Sequence, residues 1–226
     1  MAERKKNAKS ARRILIVDDH PMMRQGLAQL IADEPDLVVD GEADTAGEAL
    51  DSVAARKPDL VLVDISLPDR NGLELIKDLH VMSPDVLILV VSMHDEALYA
   101  ERVLRAGARG YIMKQEGGKK LMAAIRRVLG GQVYVSEKMS ARILEIFSGR
   151  RPAATESLLE RLSDREFEVF QHIGAGKGTR EIAALLRLSV KTVEVHRANI
   201  KEKLRLKSAT DLVRYAARWM EAQGMS

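Results

Sequence analysis

The stretch Leu60-Val61-Leu62-Val63-Asp64 is an apolar, β-branched run that ends in a carboxylate, and a loop containing Pro68, Asn71 and Gly72 follows it. An unbroken apolar run of this length is typical of a strand buried on both faces, as in a parallel sheet covered by helices. The carboxyl ends of such strands face the crevice in which α/β proteins bind ligands. Asp64 is therefore either part of a functional site or an aspartate that caps the loop, and this stretch alone leaves both readings open.

Outward from this strand, the first 130 residues alternate between short apolar strands and amphipathic helices. The predicted strands lie at 14–17, 38–43, 60–63, 86–92 and 110–114, and the predicted helices lie at 21–31, 45–56, 73–82, 96–106 and 119–129. This alternation predicts right-handed βαβ units, and so a five-stranded parallel sheet with helices on both faces. No glycine-rich phosphate loop follows the first strand, which argues against dinucleotide or P-loop nucleotide binding.

Polar side chains stand at the carboxyl ends of four predicted strands, which meet at one edge of the sheet. They are Asp18, Asp19, Asp64, Ser92 and Lys114. Clustered carboxylates repel one another unless a cation neutralises them, and an all-oxygen cluster in a chain without cysteine suits Mg²⁺. With a hydroxyl and an ammonium opposite the metal, this edge would hold a transferring phosphoryl group. Asp64 would be the nucleophile and would form an aspartyl phosphate.

Composition and charge restrict the class of protein. The chain has no cysteine, and no apolar run approaches the roughly 20 residues that span a bilayer, so we expect a soluble, cytoplasmic protein without membrane contact. The formal net charge is +3, but residues 14–130 are acidic whereas the first residues and residues 157–226 are basic. A basic module attached to an acidic one suggests a polyanion-binding domain joined to a cation-binding domain.

Residues 157–226 predict a module of four helices. Ser163 and Glu166 form a capping box that begins the first helix, and a short helix from Thr179 is joined by a tight turn to a longer helix over 190–204. The apolar residues predicted inside the last helix are Leu212, Tyr215, Ala216 and Trp219. Two helices joined by a three-residue turn in a basic module predict helix-turn-helix DNA binding, and a plain helical bundle is the alternative.

Helical spacing within 190–204 separates a core face from a DNA-facing surface. Val193, Ile200 and Leu204 face the core, with His196 at its edge. The residues expected to contact DNA are Lys191, Thr192, Glu194, Val195, Arg197, Ala198 and Lys201. The three cationic residues of this set are expected at phosphates, whereas Glu194, Val195 and Ala198 face base edges.

The residues at the strand ends resemble the receiver domain of bacterial response regulators, over about residues 13–131. The resemblance implies a phospho-acceptor at Asp64, matches Ser92 and Lys114 to the family's hydroxyl and lysine, and matches Tyr111 to its aromatic switch. It implies Mg²⁺ as the cofactor, with the ligands Asp18, Asp19, Asp64 and the backbone carbonyl of Ser66. Gln115 stands where many receivers have a proline after a cis peptide bond, and the sequence leaves the isomer of the Lys114-Gln115 bond open.

The motifs of the second half are similar to the LuxR-type output domain. They are Leu162-Ser163-Asp164-Arg165-Glu166, Arg180-Glu181-Ile182-Ala183, and Leu188-Ser189 leading to Thr192-Val193-Glu194-Val195-His196. Glu194 stands where such domains often carry lysine. Joined to a receiver, this module resembles the NarL/FixJ-type response regulators. The implied fold is a flavodoxin-like α/β receiver at 13–131 and an all-α helix-turn-helix domain at 157–226, with a basic disordered arm at 1–12 and a linker containing one helix at 132–156.

The combined resemblance implies a DNA-binding transcription regulator that a histidine kinase activates by phosphorylating Asp64. The implied partners are promoter DNA, the cognate kinase, a second copy in a phosphorylation-dependent dimer, and RNA polymerase. The only enzymatic activity implied is self-catalysed phosphotransfer to Asp64 and slow hydrolysis there. One alternative is a phosphorylation-independent regulator with a vestigial receiver, which the complete residue set disfavours. The other is an aspartate-nucleophile phosphohydrolase, and Ser66 disfavours it because those enzymes carry a second aspartate at that position.

Overall fold

The structure is a computed structural model, and it describes residues 11–147 and 158–222. The chain divides into two compact units, residues 1–143 and 144–226, which we call the N-terminal and C-terminal units. Most of the predicted basic arm lies outside the described residues, as does the part of the predicted linker at 148–156. Within the described residues, no helix combines the length and the apolarity required to cross a membrane.

The described part of the N-terminal unit contains a five-stranded parallel sheet, as predicted. The strands are β1 (Arg12–Val17), β2 (Leu37–Ala43), β3 (Leu60–Val63), β4 (Leu87–Ser92) and β5 (Gly110–Met113). The helices that connect and follow them are α1 (Pro21–Ala32), α2 (Ala46–Arg56), α3 (Gly72–Met82), α4 (Glu96–Ala106) and α5 (Gly118–Leu129). The strand order is β2-β1-β3-β4-β5, with every pairing parallel. This is the order of flavodoxin-like doubly wound sheets, whose ligand sites lie at the carboxyl ends of the strands.

Side-chain alternation along the strands explains why helices cover both faces of the sheet. Ile14, Ile16 and Leu62 pack in one core with residues of α1 and α5, among them Ile31 and Ile125. The intervening strand residues point to the opposite face, where α2, α3 and α4 pack against one another. Because both faces are covered, the central strands are apolar throughout, and polar side chains occur only where each strand ends.

Most predicted boundaries in the N-terminal unit agree with the structure within one residue, but two differences change the element to which a residue belongs. Strand β1 begins at Arg12, which we had placed in the basic arm, and the Arg12 guanidinium donates to Asp59 at 2.5 Å. Lys114 does not belong to β5 but begins a turn of 3-10 helix over Lys114–Glu116. The Lys114-Gln115 peptide bond is trans.

The segment that follows α5 belongs to the N-terminal unit, although we had predicted a linker from residue 132. Tyr134 lies beside β5, where its carbonyl accepts from the Tyr111 N–H at 2.8 Å and its N–H donates to the Arg109 carbonyl at 3.0 Å. The Ser136 N–H then donates to Glu96 of α4 at 2.7 Å. Helix α6 (Glu137–Phe147) follows. The start of the predicted linker is therefore fastened to β5 and α4.

The C-terminal unit contains the four predicted helices. They are α7 (Asp164–Gly174), α8 (Thr179–Leu185), α9 (Val190–Lys203) and α10 (Ala209–Ala222), preceded by a 3-10 turn over Leu158–Arg161. The Trp219 ring packs against Phe167 and Phe170, with centroid distances of 5.7 and 5.5 Å. Tyr215 was predicted inside but is 36% exposed, although its ring centroid lies 5.9 Å from that of Phe170.

Candidate functional sites

The predicted strand-end residues of the N-terminal unit converge around one lysine. Lys114 Nζ lies 2.7 Å from Asp64 Oδ2 and 2.7 Å from Asp18 Oδ2. Asp18, Asp64 and the Lys114 side chain are all buried, and the single ammonium balances only one of the two carboxylate charges. Burial raises the pKa of Asp64 above its usual range, and the Lys114 ammonium opposes this rise. The result is a buried carboxylate beside a fixed cation.

Backbone contacts hold the two carboxylates at the sheet edge. The Asp64 N–H donates to the Val17 carbonyl at 2.8 Å, which extends the β1–β3 pairing by one residue. After Asp64 the chain turns sharply, and the Asn71 side chain accepts from the Leu73 N–H at 2.8 Å to cap α3. A Cβ at Gly72 would lie 2.4 Å from the Asp64 carbonyl oxygen. Only glycine therefore allows α3 to begin this close to the end of β3.

The donor set at this edge fits a magnesium ion. Asp18, Asp19, His20 and Asp64 each offer a ligand atom, and these atoms lie within 4.8 Å of one another. Asp64 Oδ1 is buried and has no hydrogen-bond partner among the described residues, as expected for an oxygen that faces a cation. His20 Nδ1 lies 2.6 Å from Asp19, so its ring occupies the outer side of the cluster. A set of carboxylate oxygens matches the ligand preference of Mg²⁺.

Ser92 and Tyr111 lie next to the cluster and meet at His94. Ser92 is fully buried, and its hydroxyl accepts from the His94 N–H at 3.3 Å. The Tyr111 hydroxyl donates to the His94 carbonyl at 2.7 Å. Burial raises the pKa of Tyr111, so the phenol stays protonated and remains a donor. The hydroxyl and the aromatic residue are therefore already linked by one loop residue, with the Tyr111 ring inside.

Two residues outside the predicted set of site residues fix the loops around Asp64. His94 Nε2 lies 3.0 Å from the Ser66 hydroxyl, and its ring stacks on Tyr99 at 4.8 Å. The Asp69 carboxylate accepts from the Ala46 and Gly47 N–H groups at the start of α2, at 2.9 and 3.1 Å. Both contacts join segments that are distant in sequence, so no local pattern indicates them. In the sequence, the only indication of these contacts was that Asp69 stands next to Pro68 in the loop that follows Asp64.

The C-terminal unit presents α9 after a tight turn from α8, as predicted for a helix-turn-helix. Ser189 caps α9, and its hydroxyl accepts from the Thr192 N–H at 3.0 Å. Val193 and Ile200 are buried. The predicted DNA-facing residues that are exposed are Lys191, Glu194, Val195 and Ala198. They form the exposed stripe of α9.

Three other predicted contact residues are only half-buried, and they differ from the exposed stripe. The Thr192 hydroxyl lies 2.7 Å from the Ser189 hydroxyl and is engaged in the cap. Arg197 and Lys201 border a cavity of about 180 Å³ between α9 and the start of α10, which Glu194 and Ala198 of the exposed stripe also line. Burial lowers the pKa of Arg197. His196 Nδ1 is buried without a hydrogen-bond partner in the described chain, which agrees with a position at the edge of the core.

A partly buried ion pair fixes the far end of α9. Lys203 Nζ lies 2.6 Å from Glu166 Oε2, and the same oxygen accepts from the Ser163 N–H at 2.8 Å to complete the capping box of α7. Burial alone would raise the pKa of Glu166, but Lys203 and Ser163 lower it below its usual value. The orientation of α9 thus depends on α7.

Comparisons with known proteins agree with both units. Residues 14–126 match the response regulator receiver domain family, and residues 160–216 match the luxR family of bacterial regulatory proteins. The chain is 38% identical to the oxygen regulatory protein NreC of Staphylococcus carnosus over 209 residues, which are 90% of this chain and 96% of that protein.

Solved structures give the same result. A LuxR-family two-component response regulator from Aurantimonas sp. SI85-9A1 is similar with a TM-score of 0.57 and 34% identity, covering 62% of this chain and 99% of that chain. RcsB from Salmonella enterica serovar Typhimurium, bound to promoter rprA with the phosphomimetic BeF3-, has a TM-score of 0.66 at 24% identity, covering 92% and 99%. This second likeness concerns the fold alone. The chain belongs to the response regulators that join a receiver domain to a luxR-family DNA-binding domain, and it is a transcription regulator rather than an enzyme.

Proposed function

We propose that this regulator is switched by phosphorylation of Asp64, with a histidine kinase as the phosphodonor and Mg²⁺ as the cofactor. The observation that carries the proposal is the buried Asp64 carboxylate, which has one oxygen on Lys114 Nζ at 2.7 Å and the other without a partner in the described chain. A nucleophile needs a free oxygen, and the charge that it acquires needs a fixed cation. This arrangement offers both.

In the proposed reaction, an Asp64 oxygen attacks the phosphorus of a phosphohistidine. The P–N bond breaks, an acyl phosphate forms on Asp64, and the departing imidazole nitrogen takes a proton from water. The Lys114 ammonium transfers its interaction from the carboxylate to a phosphoryl oxygen. Asp18, Asp19, Asp64 and the Ser66 carbonyl would hold Mg²⁺, which supplies charge neutralisation at the phosphoryl oxygens when bound.

The phosphorylated state would be transmitted through Ser92 and Tyr111. The Ser92 hydroxyl donates a hydrogen bond to the phosphoryl group. This movement changes the contact between the Ser92 hydroxyl and the His94 N–H, which are 3.3 Å apart in the structure. Because the Tyr111 hydroxyl bonds the His94 carbonyl, the aromatic ring and β5 respond to the same loop. A switch of this kind requires only a few kcal/mol between its two states.

The output of the switch is dimerisation and promoter binding through α9. The exposed stripe of α9 enters the major groove, with Lys191 at a phosphate and Glu194, Val195 and Ala198 at base edges. Arg197 and Lys201 reach phosphates from the side that borders α10. Thr192 contributes by holding the amino end of α9 rather than by reading a base.

Phosphorylation mapping tests the proposal. The full-length protein is incubated with acetyl phosphate and Mg²⁺, and the acid-labile adduct is measured by intact mass and located by peptide mapping. We expect one phosphoryl group on Asp64, and none on Asp64→Asn or in excess chelator. Asp59→Asn is the matched control, because Asp59 immediately precedes the same strand and binds Arg12 instead of Lys114. A full adduct on Asp64→Asn would refute the proposal.

A further inference from the structure

Three residues other than glycine adopt left-handed backbone conformations in the described chain, and all three are basic. They are Lys57, Arg187 and Arg205, with φ values of 50°, 53° and 56°. Each lies just beyond the carboxyl end of a helix, where glycine or asparagine is favoured because a Cβ strains this conformation. Strained positions that retain a bulky side chain are candidates for a functional role.

Arg187 and Arg205 have matching backbone environments in the C-terminal unit. After α8, the Leu188 N–H donates to the Ala183 carbonyl at 2.8 Å, and after α9 the Leu206 N–H donates to the Lys201 carbonyl at the same distance. Both arginines are exposed. A cation at a helix carboxyl end interacts favourably with the helix dipole, and this benefit applies equally to the two positions. The helix dipole alone therefore predicts the same stabilisation by the two arginines.

Their places relative to the DNA-facing surface differ. Arg187 lies in the turn between α8 and α9, two residues before the Ser189 cap, whereas Arg205 lies beyond the opposite end of α9. At about 1.5 Å per residue, the length of this helix separates the two by roughly 20 Å. In helix-turn-helix domains the amino-terminal part of the second helix enters the groove. Arg187 is thus on the side of the DNA, and Arg205 is remote from it.

The Arg187 guanidinium is also available for a ligand. Among the described residues it takes part in no ion pair or side-chain hydrogen bond, whereas two arginines of the C-terminal unit are engaged: Arg165 binds Glu168 and Arg214 binds Asp211. Lys191, at the start of the exposed stripe, adds a second exposed cation at the same end of α9. A phosphate beside this end would meet both charges.

We propose that Arg187 is a DNA-binding residue that contacts a backbone phosphate at the edge of the groove entered by α9. This inference rests on the proposed binding of DNA through α9. The contact is independent of base sequence, so it contributes affinity rather than specificity.

The test compares Arg187→Gly with Arg205→Gly in the full-length protein. Both substitutions remove one charge and the same backbone strain, so we expect both to raise the melting temperature of the C-terminal unit by roughly 2 to 5 °C. Binding to a random-sequence 30-base-pair duplex is then measured between 50 and 200 mM salt. We expect Arg187→Gly to bind roughly three- to tenfold more weakly, with a log-log salt slope smaller by about 0.9, and Arg205→Gly to bind like wild type.

Each other outcome overturns the assignment. If Arg187→Gly binds like wild type, Arg187 serves only the end of α8. If both variants lose the same affinity, the effect comes from net charge and not from a contact. Arg187→Asn repeats the comparison with a side chain that tolerates the left-handed conformation, and retained affinity in it also refutes the contact. If wild type itself binds no DNA, the proposed role of α9 fails, and this result is distinct from a failure of Arg187 alone.

Discussion

The strand-end site of the N-terminal unit and the exposed stripe of α9 are built in opposite ways. At the sheet edge, three charged side chains that follow β1, β3 and β5 meet within hydrogen-bond distance and are buried together. On α9, the residues lie within one helix, are exposed, and are separated from one another. In the strand-end site the charged groups pair within the protein, so removing one charge leaves another unpaired. On the exposed stripe the binding partners are groups of the DNA, so substitutions there affect binding more than folding.

The largest expected effect breaks the charge balance at the sheet edge. Lys114→Met leaves Asp18 and Asp64 buried without their cation, and we expect the free energy of unfolding of the N-terminal unit to fall by roughly 3 kcal/mol in metal-free buffer. Mg²⁺ should restore more stability to the variant than to wild type, because it supplies the missing positive charge. Chemical denaturation with and without Mg²⁺ measures both effects.

Lys120→Met is the control for this prediction, since Lys120 forms an exposed pair with Glu116 one helical turn away. We expect its stability to match that of wild type, because exposed pairs contribute little. Equal stability of Lys114→Met and Lys120→Met would contradict a preorganised charge cluster.

The comparison predicts a different outcome at Glu194 on the exposed stripe. Glu194→Gln should leave stability unchanged, because the side chain is exposed, but should alter sequence preference. A carboxylate accepts from cytosine N4 and repels phosphates, so we expect tighter nonspecific binding and a loss of about 1 to 3 kcal/mol of discrimination at one base pair per half-site. Binding-site selection at several salt concentrations measures this, with Glu202→Gln on the same helix as the control. An unaltered preference would show that Glu194 reads no base.

Glu166 is the exception that sharpens the comparison, because the buried Glu166 carboxylate pairs with the half-exposed Lys203 of the same helix that carries the exposed stripe. Its folded pKa is lowered, so its stabilising contribution is present above the unfolded pKa of about 4.3 and is lost as pH falls through the folded value. We expect Glu166→Gln to destabilise the C-terminal unit by about 1 kcal/mol at pH 7 and to flatten the loss of stability below pH 5. Thermal melts from pH 3 to 7 test this, with the exposed Glu221→Gln as the control. A parallel pH dependence in Glu166→Gln and wild type would exclude the ion pair as its cause.

Sequence predicted the sheet well because its signals are local. Apolar runs identify buried strands, and the alternation with helices leaves few topologies. The strand-end residues followed directly, since parallel strands place their carboxyl ends together. The loops were less accessible: the contacts of His94 with Ser66 and of Asp69 with α2 join distant segments, and no period in the sequence encodes them.

The helical unit shows where a periodic pattern is insufficient. Spacing along α9 separated Val193 and Ile200 from the exposed stripe, but it could not indicate that the start of α10 lies beside Arg197 and Lys201. The prediction for Tyr215 was wrong for a related reason. Its position in the helical repeat matches the core face, whereas the residue is 36% exposed beside Phe170. Periodicity gives the direction of a side chain, and the neighbouring helix decides how much of it is covered.

The central claim is that the chemical state of Asp64 controls what α9 does. The most direct measurement is the affinity for a duplex recovered by binding-site selection, taken with and without acetyl phosphate and Mg²⁺. We predict that phosphorylation raises the affinity of wild type by at least about tenfold. Asp64→Asn should not respond, and Ser92→Ala should accept the phosphoryl group without the rise in affinity. An equal response in Asp64→Asn, or fully phosphorylated wild type with unchanged affinity, would contradict the account.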